Sequence, residues 1–311
     1  MSSINVQSIK ELRERTQAGM GDCKAALVEA DGDMEKAVEI ILKKGLAKTA
    51  KRAGAIAAEG EVAAWVSADL RQAVVVEVNI QTDFAARNEQ FKAFVQRVVA
   101  LAQTAPAGAD LSAASYEAGK TVADAAGELT ARLGEKIAVR RWEKLEVPAG
   151  KHGFIQSYVH LGGRIGVLLH VETSGDAVSS HAEVKNFADQ TAMQIAAMNP
   201  VALSRDDVSK DTVQKQREIF EAQLKDDPKP KPQAMWPKIV DGKVDKWFSE
   251  VTLLEQPSVI VTDKKVGELG KAAAAAAGGD LKVVRYVRYQ LGEGIEKKKD
   301  DFASDVTKML T

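Results

Sequence analysis

Apolar residues recur along this chain with two spacings: a period near 3.6 that marks helices, and runs of β-branched residues that mark strands. Over residues 4–45 the spacing predicts three short helices. Ser8 can cap one carrying Ile9 and Leu12, Asp22 one carrying Ala26 and Leu27, and Asp33 one carrying Ala37, Val38, Ile41 and Leu42. Gly19, Gly32 and Gly45 fall where stops are needed. Residues 46–60 are Ala-rich and basic, with Lys48, Lys51 and Arg52, and read as a helical or mobile linker whose charges are a solvated face.

After Gly60 the pattern changes and then repeats. Residues 61–66, a polar turn around Asp69, and 73–79 predict a hairpin. Val74, Val75, Val76 and Val78 fit an extended backbone better than a helix. Residues 88–103 place Phe91, Phe94, Val95, Val98, Val99 and Ala102 on one face of a helix. Further on, 153–160, a turn through Gly162-Gly163, and 164–172 predict a second hairpin, followed by a helix over 183–198. Each half ends in a late strand, 137–142 and 281–286. A duplicated ββα…β unit predicts an α+β fold with antiparallel sheets backed by helices. The expected organisation is a three-helix domain (1–45), a linker (46–60), two α+β subdomains (61–147 and 148–291) and a C-terminal module (292–311).

The second half also carries an insertion. Val208, Val213, Phe220 and Leu224, then Met235, Ile239, Val240, Val244, Trp247 and Phe248, are spaced for a helical hairpin within 206–250. Pro228, Pro230 and Pro232 break the chain between its arms, and Pro237 interrupts the second. Such an arm either packs on its own subdomain or docks a partner. A last amphipathic helix over 301–310 puts Phe302, Val306 and Met309 on one side.

Composition narrows the function classes. With 43 basic and 44 acidic residues in 311, a net charge of -1 gives no electrostatic reason for a nucleic-acid ligand. One cysteine, Cys23, cannot form an internal disulfide, and no apolar run is long enough for a membrane span, so a soluble, cytoplasmic protein is expected. His152, His160, His170 and His181 lie outside metal-binding spacings, so neither metal nor cofactor is expected. Residues 114–121 match a relaxed A-x-x-x-x-G-K-T loop around Lys120. No strand precedes it, however, and Glu117 would repel a phosphate, so an enzyme reading is thin.

One stretch stands apart. Gln81-Thr82-Asp83-Phe84, between the strand and the next helix, puts a large aromatic beside a carboxylate on an exposed turn. Taken alone, Asp83 or Asn88 would cap the helix and Phe84 would fold back on it as a staple. Glu77-Val78-Asn79-Ile80-Gln81-Thr82-Asp83-Phe84, however, resembles the signature of the bacterial translation elongation factor Ts family. Leu12-Arg13-Glu14-Arg15-Thr16-Gln17-Ala18-Gly19-Met20, followed by Asp22-Cys23-Lys24, resembles that family's N-terminal signature. Ile80, Ala85 and Ala25 depart from the family pattern without removing a group the mechanism needs.

The resemblance implies a ubiquitin-associated-like N-terminal fold and a non-catalytic guanine-nucleotide exchange factor. Its partner would be elongation factor Tu, bound both with GDP and nucleotide-free. It implies that Thr82, Asp83, Phe84 and Ala85 push into the GTPase near its magnesium, with Phe84 as the wedge. Arg13, Met20, Asn79, Gln81, Tyr158, His160, Gly163, Phe302 and Met309 would be further contacts, with burial of His160 the competing view. The alternatives are a ubiquitin-like binding module, resting on the three-helix start, and a nucleotide-binding enzyme, resting on Lys120.

Overall fold

The computed structural model describes residues 5–296 except 17, 19, 53 and 228–230. The helix expected over 301–310, with Phe302 and Met309, lies outside the described residues. Contacts divide the described chain into two units. One draws on the chain up to Ala63, Val76–Trp142 and the segment from Gln290 on; the other draws on Ala64–Val75 and Glu143–Tyr289.

The chain opens with α1 (Val6–Thr16), α2 (Met20–Glu29) and α3 (Met34–Arg52), closed around Leu12, Cys23, Ala26, Leu27 and Ala37. Asp33 caps α3 as expected, its Oδ1 accepting from the N–H groups of Glu35 (3.0 Å) and Lys36 (3.1 Å). The other caps differ from expectation. Asn5 opens α1, its Oδ1 accepting from Ser8 N–H at 2.8 Å while Ser8 Oγ accepts from Asn5 N–H at 3.1 Å, so Ser8 is the inner half of a reciprocal cap. Asp22 lies inside the first turn of α2, where its charge complements the positive end of the helix. Helix α3 runs through Gly45, the expected stop, to Arg52. A single interior glycine costs only about 1 kcal/mol, which the Ala-, Leu- and Lys-rich sequence around it offsets.

The first sheet follows: β1 (Glu59–Val66), β2 (Gln72–Ile80), then the short α4 (Asp83–Ala86), α5 (Glu89–Thr104), a small ribbon of β3 (Ser115–Glu117) and β4 (Lys120–Thr121), α6 (Val122–Leu133) and β5 (Ala138–Glu146), in strand order β1-β2-β5. As the central strand, β2 is covered on both faces, which explains why its valines do not alternate with polar residues. Helix α5 buries the six apolar residues its spacing picked out.

The second half repeats the plan with β6 (His152–His160), β7 (Ile165–Thr173), α7 (Asp176–Ser180), α8 (Ala182–Met198), the arm α9 (Lys210–Lys225) and α10 (Trp236–Val251), then α11 (Val266–Ala276) and β8 (Leu281–Gln290), in order β6-β7-β8. Strands β6 and β7 pair antiparallel from His152↔Thr173 to His160↔Ile165. Val167, Leu169 and Val171 meet Val184, Phe187, Ala188 and Ile195 of α8 in the core. The repeat extends to one unusual glycine per hairpin. Gly60 (φ +133°) and Gly153 (φ +149°) each take the second position of the first strand. A Cβ there would stand 2.1 Å from Val78 O or 2.3 Å from Val171 O, so only glycine lets the strands approach. In the arm, Leu224, Val240, Val244 and Phe248 form its own apolar seam. Pro237 stands in the first turn of α10 and opens the arm rather than interrupting it, because a first-turn proline loses no helical hydrogen bond.

Within the first sheet, the Glu77 side chain is 0% exposed. Its carboxylate accepts from Arg140 Nη1 (2.9 Å), Arg141 Nε (2.5 Å), Asn79 Nδ2 (3.2 Å) and Gly292 N (2.8 Å). The guanidiniums continue outward to the next turn: Arg140 donates to Glu293 O, and Arg141 to Gln290 O and the Glu293 carboxylate. Burial pushes the Glu77 carboxyl up, but the Gly292 N–H and the two arginines together outweigh it and hold its pKa below the ordinary value.

Removing this carboxylate takes the acceptor from the Gly292 N–H and the Asn79 amide and the nearest anion from two partly buried arginines, so Glu77→Ala should lower unfolding free energy by about 1–3 kcal/mol in urea denaturation. Because the folded pKa is depressed, this contribution is complete above the ordinary carboxylate range and is lost as pH falls through the lowered value. Stability measured against pH should therefore drop on acidification, and less steeply in Glu77→Gln.

Candidate functional site

Strand β2 delivers the chain from a fully buried Ile80 straight to the surface. Thr82 takes an extended conformation (φ -121°, ψ 151°) and caps α4, its Oγ1 accepting from Ala85 N–H at 3.2 Å. Helix α4 is a single turn, closed at Arg87, and Asn88 then caps α5 separately by accepting from Gln90 N–H at 2.8 Å. The break at Arg87-Asn88 decides where Phe84 goes. Lying on a turn of its own, it does not fold back on α5 as a staple; the residue is 84% exposed. Asp83 also faces solvent, with Arg87 Nη2 3.3 Å from its carboxylate, an exposed pair too screened to hold either group firmly.

The turn is braced from the loop after α6. Gly134 (φ 75°) ends that helix in the left-handed conformation. The next residue, Glu135, accepts from Thr82 N–H at 2.9 Å and from Thr82 Oγ1–H at 2.8 Å. Lys136 N–H donates to Gln81 Oε1 at 2.8 Å. The sequence reading did not single out Glu135, and no local signal could have done so, since it lies 53 positions from its partner.

The other expected contacts fall in different settings. Asn79 is 2% exposed, and its amide donates inward to Glu59 O and Glu77, so in the free chain it supports the strand. Arg13 is exposed on α1, and Met20, 46% exposed, is the first residue of α2. In the second unit, Tyr158 and His160 share one face of β6, with the Tyr158 hydroxyl 2.8 Å from His160 Nδ1 and the rings 5.7 Å apart. His160 is half-buried, between the two positions weighed for it. The adjoining turn has positive φ at Leu161, Gly162 and Gly163. Gly163 is itself buried in that turn, while Leu161 is 71% exposed.

The remaining chemistry-bearing residues serve structure. His181 caps α8, His152 Nδ1 meets Asp176 at 2.7 Å, and burial lowers the pKa of His170, which favours its neutral form. Lys120 is held by Glu117 (2.7 Å) and Glu128 (2.9 Å), which raise its pKa, and Thr121 caps α6. The 114–121 stretch is thus a two-stranded ribbon whose lysine is already neutralised, not a phosphate cradle. Among the described residues, no His, Cys, Asp and Glu cluster could hold a metal, and no helix is long and apolar enough to cross a membrane.

The family model described as elongation factor TS matches residues 81–293. Elongation factor Ts of Clostridium botulinum (strain Alaska E43 / Type E3) is 44% identical over 309 residues, covering 99% of each chain. That of Clostridium perfringens (strain SM101 / Type A) is 42% identical over 308 residues, covering 98% of this chain and 99% of that one. That of a Nitratiruptor species is 43% identical over 316 residues, covering 99% of each.

Since the Phe84 ring adds nothing to the core, Phe84→Ala should change unfolding free energy by no more than about 0.5 kcal/mol, checked by its urea midpoint.

Proposed function

Because this chain belongs to the elongation factor Ts family, the nucleotide-exchange factors of translation elongation, we propose that it binds elongation factor Tu–GDP and speeds GDP release so that GTP can enter. The observation that carries this reading is the solvent-facing Phe84 on its capped, braced turn. An exchange factor needs no acid, base or nucleophile. It must bind the nucleotide-free partner more tightly than the loaded one, so that each ligand weakens the other.

A phenyl ring outside its own core is suited to that work. Seating it in an apolar pocket of the GTPase yields roughly 1.5–3 kcal/mol, enough for about ten- to a hundredfold in an equilibrium constant. The Thr82–Ala85 turn enters beside the elements that hold magnesium and dislodges the ion bridging the diphosphate. Asp83, only loosely tied to Arg87, is free to add repulsion or hydrogen bonds there. Arg13, Met20, Tyr158 and His160 supply area and orientation, and the work is done in the cytoplasm.

Labelled GDP on elongation factor Tu, chased with unlabelled nucleotide, should dissociate faster with this protein. Phe84→Ala should remove about ten- to a hundredfold of the acceleration, while Lys120→Ala keeps it. Unchanged release with the wild-type chain overturns the assignment.

A further inference from the structure

We propose that Glu135 is the positioning residue that holds the Phe84 turn in its exchange-competent shape; this rests on the exchange reading above. Helix α4 has four residues, far fewer than a helix needs to persist by itself. Neither Asp83 nor Phe84 anchors it to the core, since both face solvent. Its shape depends on its cap, Thr82, whose hydroxyl must present its lone pair to Ala85 N–H.

Glu135 determines that orientation. One carboxylate oxygen accepts a hydrogen bond from the Thr82 hydroxyl at 2.8 Å, which turns the hydroxyl lone pairs toward Ala85; the other accepts from Thr82 N–H at 2.9 Å, which fixes the backbone. The Lys136 N–H to Gln81 Oε1 bond locks the preceding residue. Glu135 itself stands on a stop made rigid by left-handed Gly134 and by Ile137 N–H donating to Thr130 Oγ1 at 3.0 Å. Glu135 is half-buried and outside the core, so its two bonds act directly on the turn.

A turn that is only fractionally in the competent shape binds more weakly by that fraction, so the effect appears in the concentration needed for exchange. Glu135→Ala should raise the concentration for half-maximal GDP release by about three- to thirtyfold, the range expected for charge-assisted bonds discounted for their exposure. The limiting rate should stay near wild type, and the loss of unfolding free energy should not exceed the ~0.6–2 kcal/mol that three- to thirtyfold represents. Glu135→Gln, which keeps the length and one acceptor oxygen, should recover part of the loss. In the free full-length chain, amide hydrogen exchange at Thr82 and Ala85 should quicken in Glu135→Ala. In a Phe84→Ala background, Glu135→Ala should add less than about twofold, because the shape of the turn matters only through the ring. A wild-type chain without effect on GDP release overturns the exchange reading. A wild-type chain that accelerates release while Glu135→Ala matches it, or losses that simply add in the double variant, overturns the positioning role.

Discussion

The first sheet is organised around a charge that could not exist there unpaired. An isolated carboxylate with no exposed surface would carry a desolvation penalty of several kcal/mol or would take up a proton. Glu77 stays ionised because four donors from three parts of the chain converge on it: Asn79 of its own strand, Arg140 and Arg141 of β5, and Gly292 after β8. Each donor is useful only in one register. A slip of β5 by two residues would carry both arginines past the carboxylate, and a shift of the 290–293 turn would withdraw the Gly292 N–H. The buried charge therefore specifies how these segments meet, and β2, which carries it, leads three residues later into the turn that bears Phe84.

That turn follows an opposite physical logic. Where Glu77 is buried and over-determined, the Phe84 turn is exposed and braced by polar groups at its base: a threonine cap, a glutamine, Glu135 and the Lys136 N–H. The electrostatics divide in the same way. The Asp83–Arg87 pair lies in solvent and contributes little. A turn built so presents a large apolar side chain to solvent while the scaffold behind it keeps its own core complete.

Duplication supplied the scaffold twice and put it to different uses. Both halves pair a hairpin with a late strand, and both need a glycine at the second residue, where the neighbouring backbone leaves no room for a Cβ. They diverge beyond the strands. The first half follows its hairpin with the Phe84 turn. The second tightens its hairpin loop with three successive residues at positive φ beside Tyr158 and His160, and it inserts the α9–α10 arm with an apolar seam of its own.

The local sequence determined the elements and their order. Amphipathic spacing located α5, α8 and the arm, β-branched runs located β2, and the repeated pattern disclosed the duplicated α+β plan, because periodicity and side-chain shape act over a few neighbours. The 77–84 motif made the Phe84 turn legible as a candidate before any coordinates. Tertiary structure decided which of several local options each residue takes. Asn5 rather than Ser8 opens α1, Gly45 sits inside a helix, Asn79 turns inward, Gly163 is covered, and Phe84 is freed from α5 by the cap at Asn88. It alone brought Glu135 to Thr82 and Gly292 to Glu77, across 53 and 215 positions, since such pairings depend on how packed elements meet and leave no periodic trace in the chain.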